Sequence, residues 1–364
     1  MKFSPQQDSA MKAVRDWLRS GIGGPQSFYL AGYAGTGKTT LARHLAEHVG
    51  KAQFAAFTGK AALMLQSKGC EGARTIHSLI YRIDEDGPEP AWRLNVDSPI
   101  ADADLVVIDE VSMVGPDLGR DLMSFGRPIL VLGDPAQLPP VRGEGFFTSR
   151  EPDFMLTEVH RQAQDNPIIA MSMEIREGGR LAKGARGESR VIGRTEIETG
   201  AVLASDQVIV GKNMTRRLYN DRIRELLERE GFFQPGDRVV ALRNNKEKGL
   251  LNGGIWQVEK IIKQGDKTTQ MKVSPLDAGT NKDWRKVITH HAWVTGEERS
   301  LDWKEAKQYD PFDYAYALTC HKAQGSQWDD VVVFDESRTF GEHADRWLYT
   351  AVMRAAETVT VVTT

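Results

Sequence analysis

The chain has 364 residues, of which 40% are hydrophobic and 27% charged, and its formal net charge is −3. These values predict a soluble globular protein of two or three domains, and they argue against a protein that coats nucleic acid by bulk charge. Cys70 and Cys320 stand far apart, without the spacing of a zinc site or a disulfide framework, which favours a reducing compartment. Since the sequence has neither a signal segment nor an apolar run of bilayer length, we expect a cytoplasmic protein (nuclear in a eukaryote) with no membrane partner.

Short apolar strands alternate with helices along most of the chain, and this pattern predicts parallel sheets covered by helices. The strands predicted for a first sheet are Ser27 to Ala31, Gln53 to Phe57, Leu105 to Ile108 and Ile129 to Leu132. Those predicted for a second sheet are Gln207 to Val210, Tyr314 to Leu318, Val331 to Phe334 and Val359 to Val362. The main predicted helices are Thr39 to Val49, Pro116 to Phe125, Thr215 to Glu230 and His343 to Met353. Two α/β units are therefore expected.

Three stretches depart from this alternation. Asp84 to Asp104 is acidic and contains three prolines, which predicts a hairpin or loop excursion from the first sheet. Phe233 to Asp310 has short strands and turn signals, which predict a small inserted β-barrel. Its stretch from Asp237 to Lys286 is rich in basic residues, and this fits a solvated face and a nucleic-acid surface equally well. Gly178 to Gly193 is rich in glycine and arginine and is predicted to be a mobile loop.

The strongest local motif is GYAGTGKT at 32–39, which follows an apolar strand and opens a helix as a phosphate-binding P-loop does. Its glycines allow backbone N–H groups to point at phosphates, and the helix N-terminus favours negative charge. In this motif Lys38 would reach the terminal phosphates and Thr39 would ligate Mg²⁺, so ATP and Mg²⁺ are the predicted cofactors. The residues predicted here to bind nucleotide are Gly32, Gly35, Thr36, Gly37, Lys38, Thr39 and Thr40.

A second motif, LVVIDE at 105–110, is an apolar strand that ends in two acids. A buried strand delivers such carboxylates to the carboxyl edge of the sheet, beside the phosphates. Asp109 would hold the Mg²⁺ shell, and Glu110 would orient and deprotonate the attacking water. An apolar strand ending in Asp-Glu is common by itself, and it becomes informative after a P-loop.

A third strand runs into GDPAQLPP at 133–140, and with this motif the chain resembles a superfamily 1 DNA helicase of the RecD and Dda-like branch. The other stretches that carry the resemblance are Gln7, Phe57 to Lys60, Thr75 to Ser78, Leu156 to Gln162, Thr319 to Ser326 and Tyr349 to Ala355. The resemblance implies that Gln7 reads adenine, that Gln137 senses the γ-phosphate, and that Arg161 and Arg354 stabilise its developing charge. The predicted catalytic residues are therefore Lys38, Glu110, Gln137, Arg161 and Arg354.

The fold that the resemblance implies is α/β, with two RecA-like P-loop domains in tandem, a hairpin insertion in the first and a small SH3-like β-barrel insertion in the second. The expected boundaries are 1–150 for the first domain, with its insertion at about 82–103, then 151–232 with 311–364 for the second, and 233–310 for the barrel. The implied activity is ATP-dependent translocation on single-stranded DNA, 5′ to 3′, with unwinding of tailed duplex DNA in repair or replication. We expect a monomer and a minimal motor without the N-terminal domain of larger RecD proteins.

The resemblance also implies a DNA track with Thr58, Lys60 and His77 on the first domain and Thr319 and His321 on the second. Hydroxyl, ammonium and imidazole groups suit contacts to phosphates or base faces.

Aromatic side chains leave two alternatives open. Trp92, in the acidic excursion, is predicted to be a wedge that stacks on a terminal base pair, and packing of the hairpin onto its own domain explains it nearly as well. Phe57 stands where relatives often have proline, and either base stacking or a place in the strand core would account for it.

Two other function classes remain possible from the sequence. One is a nucleic-acid-stimulated ATPase switch, or a subunit of a larger complex, that does not unwind by itself. The other is a P-loop kinase for a small molecule, although this class leaves Arg354, His321 and the second sheet without a role.

Overall fold

The structure is a computed structural model, and it describes residues 3–21, 23–84, 91–140, 143–158, 166–276 and 283–363. The chain divides into two compact units. Unit 1 comprises Met1–Arg180 and Asp345–Met353, and unit 2 comprises Leu181–Ala344 and Arg354–Thr364. Within the described residues, no helix combines the length and apolar character needed to cross a membrane.

Helices and strands alternate through most of the described chain. The α-helices are α1 Pro5–Ser20, α2 Lys38–Ala46, α3 Gly59–Ser67, α4 Ile76–Ile80, α5 Pro116–Met123, α6 Pro167–Arg176, α7 Thr199–Ala204, α8 Asn213–Leu226, α9 Ala292–Thr295, α10 Trp303–Lys307, α11 Cys320–Ala323 and α12 Ala344–Val352. Short 3₁₀ helices occupy Pro99–Asp102, Val111–Met113, Glu298–Ser300 and Ser337–His343. The first strands are β1 Ser27–Gly32, β2 Ala52–Ala56, β3 Arg74–Thr75, β4 Tyr81–Asp84, β5 Ala91–Leu94, β6 Leu105–Asp109, β7 Ile129–Gly133 and β8 Phe154–Leu156. The later strands are β9 Gly184–Arg186, β10 Ser189–Gly193, β11 Gln207–Val210, β12 Arg238–Ala241, β13 Ile255–Gln264, β14 Thr268–Pro275, β15 Arg285–His290, β16 Phe312–Tyr314, β17 Ala317–Thr319, β18 Trp328–Phe334 and β19 Ala355–Thr363.

Unit 1 is built on a six-stranded parallel sheet with the strand order β3-β2-β6-β7-β1-β8. Its central strands are apolar runs because helices cover both faces, and β7 is buried at every position. The four strands predicted for this sheet are present, within a residue or two of their expected ends. Strand β8 pairs with β1, so unit 1 runs past the boundary expected after residue 150.

The acidic excursion folds as a two-stranded hairpin, in which β4 pairs antiparallel with β5 and Ile83 lies opposite Trp92. This confirms the hairpin alternative of the sequence analysis. The residues at 85–90, which join the two strands, lie outside the described part of the chain.

Unit 2 contains a six-stranded sheet with the order β17-β11-β18-β19-β10-β9, parallel except for the edge strand β9. The mobile loop predicted for Gly178 to Gly193 is wrong, because β9 and β10 pair as a hairpin and β10 also joins β19. Glycine and arginine dominate the composition there and mask the alternating burial of β10, in which Ser189, Val191 and Gly193 face inward.

The single strand predicted for Tyr314 to Leu318 is also wrong. Residues Phe312–Tyr314 pair with β12 in an antiparallel sheet, whereas Ala317–Thr319 pair with β11 in the parallel sheet. The chain thus changes sheets at Ala315 and Tyr316, both buried, and a continuous apolar run conceals the break.

The antiparallel sheet of unit 2 has five strands in the order β15-β14-β13-β12-β16. Its inner face shares one hydrophobic cluster with the parallel sheet of the same unit. Strand β16 belongs to this sheet although it lies beyond the expected limit of the insertion, residue 310. Closure of the sheet into an SH3-like barrel stays a prediction.

Candidate functional site

The P-loop joins the end of β1 to the start of α2 in unit 1. Gly35 and Gly37 have φ values of 76° and 82°, the left-handed region that glycine adopts at low cost. At Gly32 an added Cβ would lie 2.7 Å from Thr36 Oγ1 and 2.8 Å from Leu156 Cβ. Glycine is therefore required at these three positions for separate reasons, which are backbone conformation at two of them and close packing at the third.

Lys38 and Gln7 both contact this loop. The Lys38 ammonium donates to the Gly32 carbonyl at 2.6 Å and to the Tyr33 carbonyl at 3.1 Å, so it lies over the loop. Gln7 is buried in the first turn of α1, and its Nε2 donates to the Thr36 carbonyl at 3.0 Å. The Ser4 side chain caps α1 in a reciprocal capping box with Gln7. The capping of α1 thus places Gln7 beside the P-loop, although the two are about 30 residues apart in the sequence.

Thr39 and Asp109 meet across strand β7, which separates β1 from β6 in the sheet. The Thr39 hydroxyl donates to Asp109 Oδ2 at 2.9 Å, and Asp109 Oδ1 accepts the Glu110 backbone N–H at 2.8 Å. Adjacent hydroxyl and carboxylate oxygens are ligands that Mg²⁺ prefers, and this ion commonly uses one or two protein oxygens together with phosphates. The pair therefore fits the predicted metal role, and Thr40 follows in the same helical turn.

Glu110 has a φ of 54°, a left-handed conformation that is uncommon for a residue with a side chain. Backbone strain of this kind costs about 1–3 kcal/mol and is concentrated at functional sites. It occurs at the point where the chain leaves β6 and turns into the 3₁₀ helix Val111–Met113. Glu110 therefore lies at the same sheet edge as Asp109, in a strained conformation of the kind found at functional sites.

The loop after β7 carries Gln137 and is held by side chains of α12, which belongs to the same unit. The Tyr349 hydroxyl donates to Asp134 Oδ2 at 2.5 Å, and the Leu138 backbone N–H donates to Thr350 Oγ1 at 2.9 Å. Burial raises the pKa of Asp134, while the charge of Lys38 and the hydrogen bond from Tyr349 oppose this rise.

The side-chain oxygen of Gln137 is buried and accepts no hydrogen bond from any residue that the structure describes. A buried amide oxygen in this condition is costly, typically by about 1–3 kcal/mol. Its position in the loop after β7, together with the missing partner, is compatible with the predicted role of a ligand sensor.

Arg176, at the end of α6, is a site residue that sequence reasoning missed. Its guanidinium carbon lies 3.5 Å from the centroid of the Tyr33 ring, within the P-loop. Burial raises the pKa of Asp134, and the charge of Arg176 opposes this rise to a smaller extent than the charge of Lys38 does. Sequence reasoning also missed Tyr349 and Thr350, which hold the loop that carries Gln137. Both stand within the last motif, and their hydroxyl groups shortly before Arg354 could have suggested a contact.

The two predicted arginines differ in what the structure describes. Arg354 lies in unit 2, is 4% exposed, and donates from Nη1 to the Ser326 carbonyl at 3.1 Å. Arg161 lies outside the described residues. The role of both arginines in charge stabilisation stays a prediction.

Four aromatic rings lie together in unit 1, next to the predicted DNA contacts. Ring centroids are separated by 5.8 Å for Phe57 and His77, 5.8 Å for His77 and Tyr81, 6.4 Å for His77 and Trp92, and 6.1 Å for Tyr81 and Trp92. Trp92 is nevertheless 60% exposed. Burial lowers the pKa of His77, which favours the neutral imidazole. This aromatic cluster offers a surface on which bases can stack.

The hydroxyls predicted to contact DNA also cap helices. Thr58 accepts the Ala61 N–H at 3.2 Å at the start of α3, and Thr319 accepts the Lys322 N–H at 3.4 Å at the start of α11. Lys60 is buried, with 9% exposure, whereas Thr58 is half-buried.

His321, in unit 2, is half-buried, and its pKa is lowered by burial. Its ring centroid lies 6.0 Å from that of Phe340.

Two family models match parts of the chain. Residues 3–193 match the family model described as AAA domain, and residues 314–362 match the one described as UvrD-like helicase C-terminal domain. The chain belongs to the AAA domain family. Within it, the chain lies on the RecD and Pif1 branch of superfamily 1, which confirms the family resemblance.

Two relatives and one solved structure illustrate the similarity. The chain is 29% identical over 371 residues to the ATP-dependent RecD2 DNA helicase of Deinococcus radiodurans, covering 92% of this chain and 47% of that protein. It is 26% identical over 388 residues to the ATP-dependent DNA helicase Pif1 of Bdellovibrio bacteriovorus, covering 91% of this chain and 81% of that one. The crystal structure of Bacteroides Pif1 bound to ssDNA superposes with a TM-score of 0.60 at 19% identity, covering 99% of this chain and 92% of that one.

The chain thus spans about half the length of the RecD2 relative and most of the Pif1 relative. The structural match confirms the predicted fold class of two RecA-like α/β domains in tandem.

Proposed function

We propose that this chain hydrolyses ATP and uses the energy to move along single-stranded DNA and separate duplex DNA. The observation that carries the proposal is the assembly of Lys38, Thr39, Asp109 and Glu110 at the carboxyl edge of one parallel sheet. Ligands of open α/β sheets bind at this edge. Both relatives named above are described as ATP-dependent DNA helicases.

Each side chain of this edge has a distinct task in phosphoryl transfer, which depends on positioning and charge neutralisation. Lys38 would exchange its contacts with the loop carbonyls for the terminal phosphates of ATP. Thr39 and Asp109 would hold Mg²⁺, which neutralises phosphate charge when bound. Glu110 would orient the attacking water and accept its proton, and Gln137 would sense the γ-phosphate. For Gln7 we propose adenine recognition, and for Arg161 and Arg354 stabilisation of the charge that develops on the phosphate.

The DNA partner is proposed from two lines of support. The Bacteroides Pif1 structure contains ssDNA, and the aromatic cluster of Phe57, His77, Tyr81 and Trp92 provides base-stacking surfaces next to Thr58. We propose 5′ to 3′ movement, a wedge function for Trp92, and action as a cytoplasmic monomer. Contacts from Lys60, Thr319 and His321 to the strand are proposed from their motifs. The division of the chain into two motor domains and an inserted β-barrel is part of the same proposal.

Strand displacement on duplexes with either a 5′ or a 3′ single-stranded tail tests this function, with Lys38→Ala as the inactive control. Unwinding of the 5′-tailed substrate alone is the expected result. Activity from the 3′ tail alone would overturn the polarity and leave the helicase activity in place. ATP hydrolysis that DNA stimulates, without any unwinding, would replace the helicase by an ATPase switch.

A further inference from the structure

Three lysines lie side by side on the outer face of the antiparallel sheet of unit 2. In the strand register Lys260 of β13 is opposite Lys272 of β14, and Lys272 is opposite Lys286 of β15. Neighbours on β14 and β15 that point the other way, such as Met271 and Val287, are fully buried. The alternation of side chains along β14 and β15 therefore directs Lys272 and Lys286 to the outer side. Lys260, which follows a register shift in β13, is exposed beside them.

This arrangement is unfavourable for the isolated protein. Adjacent strands are about 4.8 Å apart, and like charges directly opposite each other destabilise a sheet. None of the three ammonium groups forms an ion pair with a residue within the described ranges. Glu259, the acid next to Lys260 in sequence, instead accepts a hydrogen bond from the Ser274 hydroxyl. The row therefore carries positive charge that an anionic ligand would neutralise.

An exposed aromatic ring completes the surface. Trp284, directly before β15, is 53% exposed, and its ring centroid lies 3.5 Å from Lys272 Nζ. Lys263 of β13 lies opposite Gln270, in the next outward-facing position along the sheet. Basic side chains that follow a backbone, combined with an aromatic platform, are the features by which proteins bind single strands of nucleic acid.

We propose that this lysine face, composed of Lys260, Lys272, Lys286 and Trp284, is a binding site for single-stranded DNA. The lysines contact successive phosphates, and the indole stacks on a base with the face that Lys272 leaves open. The exposed ring favours a single strand over a duplex, because bases within a duplex do not present their faces to an indole. This inference rests on the proposed function, which makes DNA a ligand of the chain. It adds a DNA-contacting region outside the motifs on which the proposed function is based.

The test compares two triple variants of the full chain that lose the same charge. One replaces Lys260, Lys272 and Lys286 by glutamine. The matched control replaces three exposed lysines of unit 1 by glutamine, namely Lys12, Lys51 and Lys68. Binding of a labelled oligo(dT) strand is measured over a series of salt concentrations. Loss of three phosphate contacts lowers the slope of log affinity against log salt by about 2, since each contact to a single strand contributes roughly 0.7.

Three further measurements separate binding from folding. The glutamine triple variant should be at least as resistant to heat as the parent, because like-charge repulsion is removed. A triple lysine-to-arginine variant should keep the parental salt slope. Trp284→Ala should weaken oligo(dT) binding by about tenfold at constant salt slope, as expected for a lost stacking contact.

The outcomes distinguish this inference from the proposed function. If the parent chain neither binds oligo(dT) nor hydrolyses ATP faster with it, the proposed function itself fails. If the parent does both and the lysine-face variant has the salt slope of the control variant, the lysine face is not a DNA site. If the variant loses affinity for blunt duplex DNA and keeps its affinity for oligo(dT), the assignment to a single strand is wrong.

Discussion

Replacement of Tyr349 by phenylalanine removes one hydrogen bond from the loop that carries Gln137. The Tyr349 hydroxyl lies 2.5 Å from Asp134 Oδ2, both residues are buried, and the Ala136 N–H at 3.0 Å is the other contact described for this carboxylate. A hydrogen bond to a charged group contributes about 1.5–3 kcal/mol. A loss of about 2 kcal/mol corresponds to a fall in Tm of roughly 4–8 °C for a unit of this size.

The loss of stability in the Tyr349→Phe variant should depend on pH. Burial raises the pKa of Asp134 above its ordinary value, and removal of the hydroxyl raises this pKa further. A carboxyl group whose pKa is raised in the folded state favours folding once it is protonated. The difference in the free energy of unfolding between parent and variant is therefore largest at alkaline pH. It becomes smaller as the pH falls through the folded-state pKa of Asp134. Thermal unfolding measured over a range of pH values reports this directly.

The kinetic consequence follows if Tyr349 positions Gln137 for catalysis. We expect kcat for ATP hydrolysis to fall by about tenfold, equivalent to about 1.4 kcal/mol, with little change in KM for ATP. Tyr316→Phe is the matched control, since the Tyr316 hydroxyl also donates to a buried carboxylate, Asp237 Oδ1 at 2.8 Å, in unit 2. Both variants should be less stable than the parent. Equal kcat values for the two variants, measured below their unfolding temperatures, would refute a positioning role for Tyr349.

Three further predictions concern the P-loop, a helical glycine and the hairpin. Lys38→Ala should abolish ATP hydrolysis and leave thermal unfolding nearly unchanged; substantial residual turnover would show that another group neutralises the phosphates. Gly32→Ala should destabilise unit 1 by about 1–3 kcal/mol, because the added Cβ would collide with Thr36 Oγ1. Gly200→Ala, in an open part of α7, should instead stabilise the chain by up to about 1 kcal/mol. Urea unfolding measures both changes. Trp92→Ala should lower strand separation and spare DNA-stimulated ATP hydrolysis, and equal loss of both activities would contradict the wedge.

Much of the nucleotide site follows from the sequence because its parts are local. The glycines, Lys38 and Thr39 stand in one turn between a strand and a helix, and a run of buried residues places Asp109 at the end of its own strand. In a parallel sheet, such strand ends meet at one edge whatever the strand order. The sequence therefore determined which side chains meet there, together with the alternation of helices and strands that carries them.

Contacts between distant segments could not be derived in this way. Tyr349 and Asp134 are 215 residues apart, and nothing in their local patterns indicates that they pair. The same holds for Arg176 over Tyr33. The two wrong predictions have a related cause, since both depended on which sheet a short segment joins, and pairing partners are not encoded in the segment alone.

The sequence by itself determined the family, the P-loop chemistry and the presence of two α/β units, because these depend on periodicity and on residues close together in the chain. Tertiary structure alone decided the anchoring of the Gln137 loop, the aromatic cluster around Trp92 and the alignment of Lys260, Lys272 and Lys286. The physical reason is register. A shift of one residue in a strand would turn its lysine to the opposite face, and only the packed sheet selects between the two arrangements.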